Sequence, residues 1–227
     1  MVETFDVSIT PYGLTRRTFV YLPDDWQTSS KKYPVLYMFD GHNLFFDSTA
    51  TYGTCWGLKE YCDAHPNWII AAPECNHEGN KRLEEYCPYQ SDWFGGITGT
   101  GHEYMEWLTK EFKPMMDKRY PTLPGRANTA IGGSSMGGLM SLYALLQHND
   151  TFSRAAALSP SIWVSPEKLS GLVGRAKLEP GTVLYMDYGS QEMGSHEGMR
   201  REFAEMCSKI MVRGIHLTSR LVPGGTH

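Results

Sequence analysis

The sequence predicts an α/β protein with a mostly parallel central sheet, antiparallel strands at its N-terminal side and helices on both faces. Three observations predict it. Short β-rich apolar runs alternate along the chain with segments of helical periodicity. Residues 35–39 and 68–72 are apolar throughout, as strands buried on both faces are. Residues 4–9 and 15–22 instead alternate with period two, the pattern of strands with one wetted face. At 227 residues, 41% of them hydrophobic, the chain is long enough for one substantial core. No low-complexity linker or internal repeat divides it, so residues 1–227 read as a single domain.

The elements follow in order. The two alternating segments form an antiparallel pair across Pro11-Tyr12-Gly13, and Pro23 ends the second. Strand 35–39 leads through a short helix at 56–64 to strand 68–72. Residues 74–101 mix charges, aromatics and glycines without periodicity and read as a long functional loop. An amphipathic helix is expected over 103–119, then strand 128–132, helix 136–147, strand 154–158, a short helix at 166–173, strand 182–188, a helix near 197–212 and strand 215–222.

Composition narrows the partners. A net charge of −4, from 21 basic and 25 acidic residues, offers no basic footprint for a phosphate backbone, so nucleic acid is not an expected partner. The N-terminus carries Glu3 and Asp6 where a signal peptide would be basic, and no apolar stretch is long enough to cross a bilayer. A cytoplasmic chain without membrane contact is expected, although a removed leader fits the same residues. Five cysteines suit reduced thiols better than a disulfide framework. Cys62, His65, Cys75 and His77 have a spacing that invites a metal. Cys62 and His65 fall at the end of an expected helix, however, where structural zinc sites seldom draw their ligands. Neither metal nor organic cofactor is expected.

The chemistry concentrates at Gly132-Gly133-Ser134-Ser135-Met136-Gly137-Gly138, between an expected strand and an expected helix. That is the context of a nucleophile elbow, in which glycines two before and two after a serine let a strained turn close. Ser135 has Gly133 and Gly137 at those offsets, whereas Ser134 has Met136 on one side. Ser135 is therefore the candidate nucleophile. A base must follow it, and His148, His196, His216 and His227 are available. His148 ends the elbow helix, His216 falls inside a strand where packing is its expected role, and His196 occupies the loop where an acid belongs. His227 follows the last strand through Pro223-Gly224-Gly225-Thr226 and is the candidate base. For the acid, Glu192 lies beyond the turn at Gly189 and is preferred to Asp187 at the strand end, because the carboxylate must project from the loop toward the imidazole. The oxyanion hole is assigned to the backbone N–H of Met136 and that of His42, in Asp40-Gly41-His42 after the first buried strand. Trp56, Tyr86, Trp93, Phe94 and Trp163 are expected on loops around the C-terminal sheet edge, where aromatics can stack on a sugar or a phenolic acyl group; Trp163, Trp93 and Trp56 are the substrate-binding candidates.

Several segments together resemble the "Putative esterase" family of α/β-hydrolases, which includes S-formylglutathione hydrolases, feruloyl and acetylxylan esterases, enterobactin-type esterases and mycolyltransferases. They are Arg17-Thr18-Phe19-Val20-Tyr21-Leu22-Pro23, Asp40-Gly41-His42-Asn43-Leu44-Phe45, the elbow, Leu158-Ser159-Pro160-Ser161-Ile162-Trp163, Gly189-Ser190-Gln191-Glu192 and Gly224-Gly225-Thr226-His227. Arg82 with Glu85-Tyr86-Cys87-Pro88 looks like a further family element. The likeness runs from about Arg16 to His227. It implies an α/β-hydrolase fold and a serine esterase that acts through an acyl-enzyme on a small-molecule ester, short-chain, phenolic or sugar-linked. The alternatives are an inactive hydrolase-fold binding protein, or an acyltransferase on the same site. The resemblance places an acid at Glu192, where S-formylglutathione hydrolases usually carry Asp. It also implies a helix after the catalytic histidine, so the 227 residues are expected to lack that helix; were the chain to end at His227, the final turn would be free to fray.

Overall fold

The computed structural model describes residues 1–192 and 197–227. Its strands are β1 (Val2–Ile9), β2 (Leu14–Tyr21), β3 (Val35–Met38), β4 (Ile69–Pro73), β5 (Thr129–Ser134), β6 (Arg154–Leu158), β7 (Val183–Gly189) and β8 (His216–Val222). They form one eight-stranded sheet in the order β1-β2-β4-β3-β5-β6-β7-β8. β2 is antiparallel to both β1 and β4, and every pair from β4 to β8 is parallel. The expected mixed sheet is thus present, with the antiparallel hairpin at one edge. Its turn is a 3-10 turn over Thr10–Tyr12, closed by Gly13 at a φ of 62°, a left-handed conformation that glycine adopts without steric cost.

The helices are α1 (Leu58–Ala64), α2 (Lys81–Glu85), α3 (Gly101–Trp107), α4 (Lys113–Arg119), α5 (Met136–Gln147), α6 (Pro166–Arg175) and α7 (Glu197–Met211). The strand period decides what each face buries. Val20, Tyr37, Phe39, Ile69 and Ala71 point into the main core with α3 to α7, while Phe19, Tyr21, Met38, Ile70 and Ala72 point the other way, to a smaller cluster with Cys62 of α1. Helices lie on both faces, but unequally. α5 is buried from Met136 to Leu146, so its leucines face protein all round. Each such side chain contributes about 1.5–3 kcal/mol of apolar transfer.

Two expectations need correction. The helix expected over 103–119 is interrupted by a π-helical turn at Leu108–Phe112. Pro114, at the start of α4, has no N–H for the carbonyl four residues back, and the wider turn before it accommodates that loss. The supposed loop 74–101 contains α2, a 3-10 turn at Trp93–Gly95 and a bridge between Ser91 and Ile97. Cys75, Tyr86, Cys87 and Ile97 of this segment belong to the main core. It shows no periodicity because it anchors through single residues instead of one continuous face.

The chain runs from β3 outward to β4 on one side, then crosses to β5 on the other. The C-terminal ends of β3 and β5 therefore flank a topological switch point, the place where parallel sheets leave a crevice for ligands.

Candidate active site

β5 ends at Ser134 and α5 begins at Met136, leaving Ser135 alone in the turn. Its φ of 57° and ψ of −119° are strained for a residue with a Cβ. Three main-chain bonds hold that conformation: Ser135 N–H donates to Leu158 O at 3.0 Å, and Ser135 O accepts from Leu139 and Ser161 N–H, each at 3.0 Å. The flanking glycines are needed for close approach. A Cβ on Gly133 would lie 2.8 Å from the carbonyl carbon of Gly137 and 3.0 Å from the Phe39 ring, and one on Gly138 would lie 2.8 Å from Leu158 O. The turn thus lifts the Ser135 hydroxyl above the sheet with α5 pointing its N-terminus at the same spot.

The structure brings Ser135, His227 and Glu192 together. His227 Nε2 is 2.8 Å from Ser135 Oγ, and His227 Nδ1 is 3.1 Å from Glu192 Oε2. The Glu192 side chain is 2% exposed, while that of His227 is 32% exposed. Glu192 Oε1 accepts from Gly189 N–H at 2.7 Å and from the Ser159 hydroxyl, so both carboxylate oxygens are engaged. Asp187 is occupied differently: Oδ1 accepts from Ser159 N–H at 2.9 Å and Oδ2 from the Tyr185 hydroxyl at 3.1 Å. It does not reach His227. Ser159, which bridges to both acids from a φ of 41°, went unnoticed in the sequence except as part of a resembling segment. Ser161, whose Oγ is 3.3 Å from Ser135 Oγ, was missed in the same way. The available signal was their position just past β6, next to the elbow.

The segment before His227 is held by hydrogen bonds. Ser190 N–H and Gly225 N–H donate to Val222 O at 2.9 and 3.1 Å, Gln191 N–H donates to Gly225 O at 2.9 Å, and Gly224 N–H donates to Ser190 Oγ at 2.8 Å. Among the other histidines, His148 caps the end of α5, and burial lowers its pKa below the ordinary value. His216 is exposed on the edge strand β8, so the expectation that it packs is corrected; most positions of this strand are exposed among the described residues. His196 lies outside the described residues.

After β3 the chain turns through Asp40 in a left-handed conformation, φ 57°, into a 3-10 turn at Gly41–Asn43. Gly41 is obligatory here: a Cβ would overlap the carbonyl of Ala72. Arg82 grips Asp40 with two bonds of 2.7 Å, Nε to Oδ1 and Nη2 to Oδ2. Burial disfavours the guanidinium charge, but the Asp40 carboxylate outweighs it and raises the Arg82 pKa. The two backbone N–H groups assigned to the oxyanion, of His42 and Met136, have no acceptor among the described residues. The His42 side chain is buried, and its Nε2 sits 3.0 Å from Thr51 Oγ1. Burial lowers its pKa to about 4, so the ring is neutral near pH 7.

A cavity of about 470 Å³ opens over the site, lined by Ser135 and His227 with His42, Trp56, His77 and Arg82 among others. Of the tryptophans, Trp56 reaches this cavity. Trp93 and Trp163 pack on each other edge-to-face at 4.8 Å, with Phe94 5.7 Å from Trp163, and do not line it. Tyr86, expected on a site loop, is fully buried and packs edge-on against Phe39 at 4.8 Å, so it cannot stack on a ligand. The considered quartet of metal donors also separates. Cys62 sits in the small core cluster under α1, and His65 stacks on Tyr61.

A family model described as "Putative esterase" matches residues 12–227. The chain belongs to that family. Membership supports an ester hydrolase. The chain is 26% identical over 200 residues to the Uncharacterized protein YbbA of Bacillus subtilis, covering 86% of this chain and 76% of that protein. It is 25% identical over 142 residues to the siderophore triacetylfusarinine C esterase of Aspergillus fumigatus, covering 62% of this chain and 48% of that enzyme. Among solved structures, an IroE-like serine hydrolase from Shewanella oneidensis superposes with a TM-score of 0.80 at 21% identity, over all of this chain and 75% of that one. Identity that low establishes the shared fold. Among the described residues, no helix is long and apolar enough to cross a membrane.

Proposed function

We propose that this chain is a serine carboxylic-ester hydrolase that works through an acyl-enzyme on Ser135. The observation that carries the reading is the continuous contact from Ser135 Oγ to His227 Nε2, 2.8 Å, and from His227 Nδ1 to Glu192 Oε2, 3.1 Å. In this mechanism Ser135 Oγ attacks the ester carbonyl as His227 Nε2 takes its proton. Glu192 accepts the Nδ1–H, fixes the tautomer and stabilises the imidazolium that forms. The free N–H groups of His42 and Met136 receive the oxyanion, and one such donor is typically worth about 2.7–4 kcal/mol in the transition state. His227 then protonates the departing alcohol, and water delivered by the same base releases the acid. No metal or organic cofactor enters these steps.

A short-chain, phenolic or sugar-linked ester of small size fits the reading, with Trp56 as the aromatic wall of the cavity. The test is labelling by a fluorophosphonate together with turnover of p-nitrophenyl acetate. Both are expected in the unaltered protein and lost in Ser135→Ala. Near-normal turnover in that variant overturns the assignment, and absence of labelling in the unaltered protein points to an inactive binding protein. A panel of acetyl, feruloyl, S-formylglutathione and siderophore esters ranks the substrate classes, and product esters formed with added alcohols would identify an acyltransferase.

A further inference from the structure

Beside the elbow, three side chains from two distant segments converge. One donor atom each from His42, Cys75 and His77 lies within 4.8 Å of the other two. His42 follows β3, and Cys75 and His77 follow β4, the next strand in the sheet, so the fold joins residues more than thirty positions apart. The His42 and His77 rings meet edge-on at 4.5 Å. All three residues line the cavity that also holds Ser135.

A second observation points at a ligand. His42 is 3% exposed, and its Nδ1 is buried with no hydrogen-bond partner among the described residues. A buried polar atom left unpaired is destabilising unless a ligand satisfies it. In the tautomer whose Nε2–H donates to Thr51 Oγ1, 3.0 Å away, Nδ1 carries a bare lone pair. That is how metal-binding imidazoles are oriented: the distal N–H is held by a neighbouring oxygen and the other nitrogen is left for the ion.

We infer that His42, Cys75 and His77 form a binding site for a zinc-class divalent cation in the wall of the cavity. Two imidazoles and a thiolate suit a borderline ion of this kind, and three protein donors leave one tetrahedral position for water or for an anionic group of a cavity ligand. Bonds of about 2.0–2.3 Å place tetrahedral donors about 3.3–3.8 Å apart. The present spread therefore closes with a small movement. His77, whose side chain is 54% exposed, can supply it by rotation. As the metal–sulfur bond forms, Cys75 Sγ gives its proton to solvent. The nearby charges are mixed. Glu74 is 3.9 Å from His77 Nε2 and favours a cation, whereas Arg82 opposes one but is already paired with Asp40. The site stands independently of which residue is the nucleophile.

Cobalt(II) is the probe, because a cysteine ligand produces a near-ultraviolet sulfur-to-cobalt charge-transfer band. Titration of the metal-free protein is expected to give that band with saturation at one equivalent, and zinc should bleach it by displacement. His77→Ala, at an exposed position, is expected to weaken binding more than the about 10–100-fold that loss of an outer-shell partner costs, and Cys75→Ser is expected to abolish the band. Thr51→Val should fall within that range. Ser135→Ala should leave the band intact. If Cys75→Ser fails to fold, as judged by circular dichroism, His77→Ala decides. No band at one equivalent, or a band of unchanged affinity in His77→Ala, overturns the inference.

Discussion

The two halves of the candidate active site are built by different means. The elbow around Ser135 is a matter of local sterics: a strand, a strained residue and a helix follow one another, and glycines at 133, 137 and 138 let the backbones touch. The candidate acid–base half is assembled across the far edge of the sheet. Glu192 follows β7, His227 follows β8, and bonds between residues 189–191 and 222–225 hold the two loops in register. Consecutive residues fix the conformation of Ser135, whereas the position of His227 needs a contact between loops that only the finished sheet brings together.

That contrast can be broken or sharpened by substitution. The largest effects are expected from Ser135→Ala and His227→Ala, each lowering kcat for p-nitrophenyl acetate by at least about 10³-fold, with the double variant no worse than either alone. Additive losses would mean the two halves do not act as one unit. Next comes Glu192→Gln, expected to cost about 10²–10⁴-fold in kcat, against less than about tenfold for Asp187→Asn. Reversed magnitudes would transfer the acid to Asp187.

Two glycine substitutions separate geometry from stability. A Cβ on Gly189 would lie 2.6 Å from the carbonyl carbon of Gly225 and 3.2 Å from Glu192 Cγ, so Gly189→Ala should displace the His227 segment. A kcat loss of about 10–100-fold with little change in Tm is expected, since a displacement near 1 Å can have that effect. Gly133→Ala pushes into buried backbone and the Phe39 ring, and should cost about 1–3 kcal/mol of stability, read from denaturant unfolding. Equal Tm losses in the two variants would erase the distinction drawn between local and assembled halves.

The smallest effect concerns the buried carboxyl of Glu85, which lines a separate cavity with Tyr12, Asn76 and Thr100. Burial pushes Glu85 up to about 7, against the opposing pull of Arg16, and its Oε2 accepts from Asn76 N–H at 2.9 Å. A carboxyl whose pKa is raised on folding contributes stability that is complete at low pH and is lost as pH rises through the folded value. Stability from this group should therefore fall between about pH 4.5 and about pH 7. The difference in Tm between pH 5 and pH 8 should be smaller in Glu85→Gln than in the unaltered protein; an unchanged difference would place the pH dependence elsewhere.

What could be read from the chain follows the same division. The strands, α5 and the position of Ser135 rest on patterns within about a dozen residues, so the sequence displays them. Chain order singled out His227, and the need for a carboxylate projecting from the loop favoured Glu192; in the fold Ser159 N–H and the Tyr185 hydroxyl occupy Asp187, while Glu192 Oε2 faces His227 Nδ1. The structure of segment 74–101 is not legible in the sequence because its anchors, Tyr86 and Cys87, are single buried residues with no period to betray them. His42, Cys75 and His77 gave no usable spacing, because their meeting depends on β3 and β4 being neighbours.

By itself, the sequence determined the fold class, the elbow and the family likeness, all written in local periodicity and short motifs. Tertiary structure alone decided which carboxylate faces His227, which aromatics line the cavity and which donors cluster beside it. Those depend on strand order and on loop-to-loop hydrogen bonds between residues far apart in the chain, information that no short window of sequence contains.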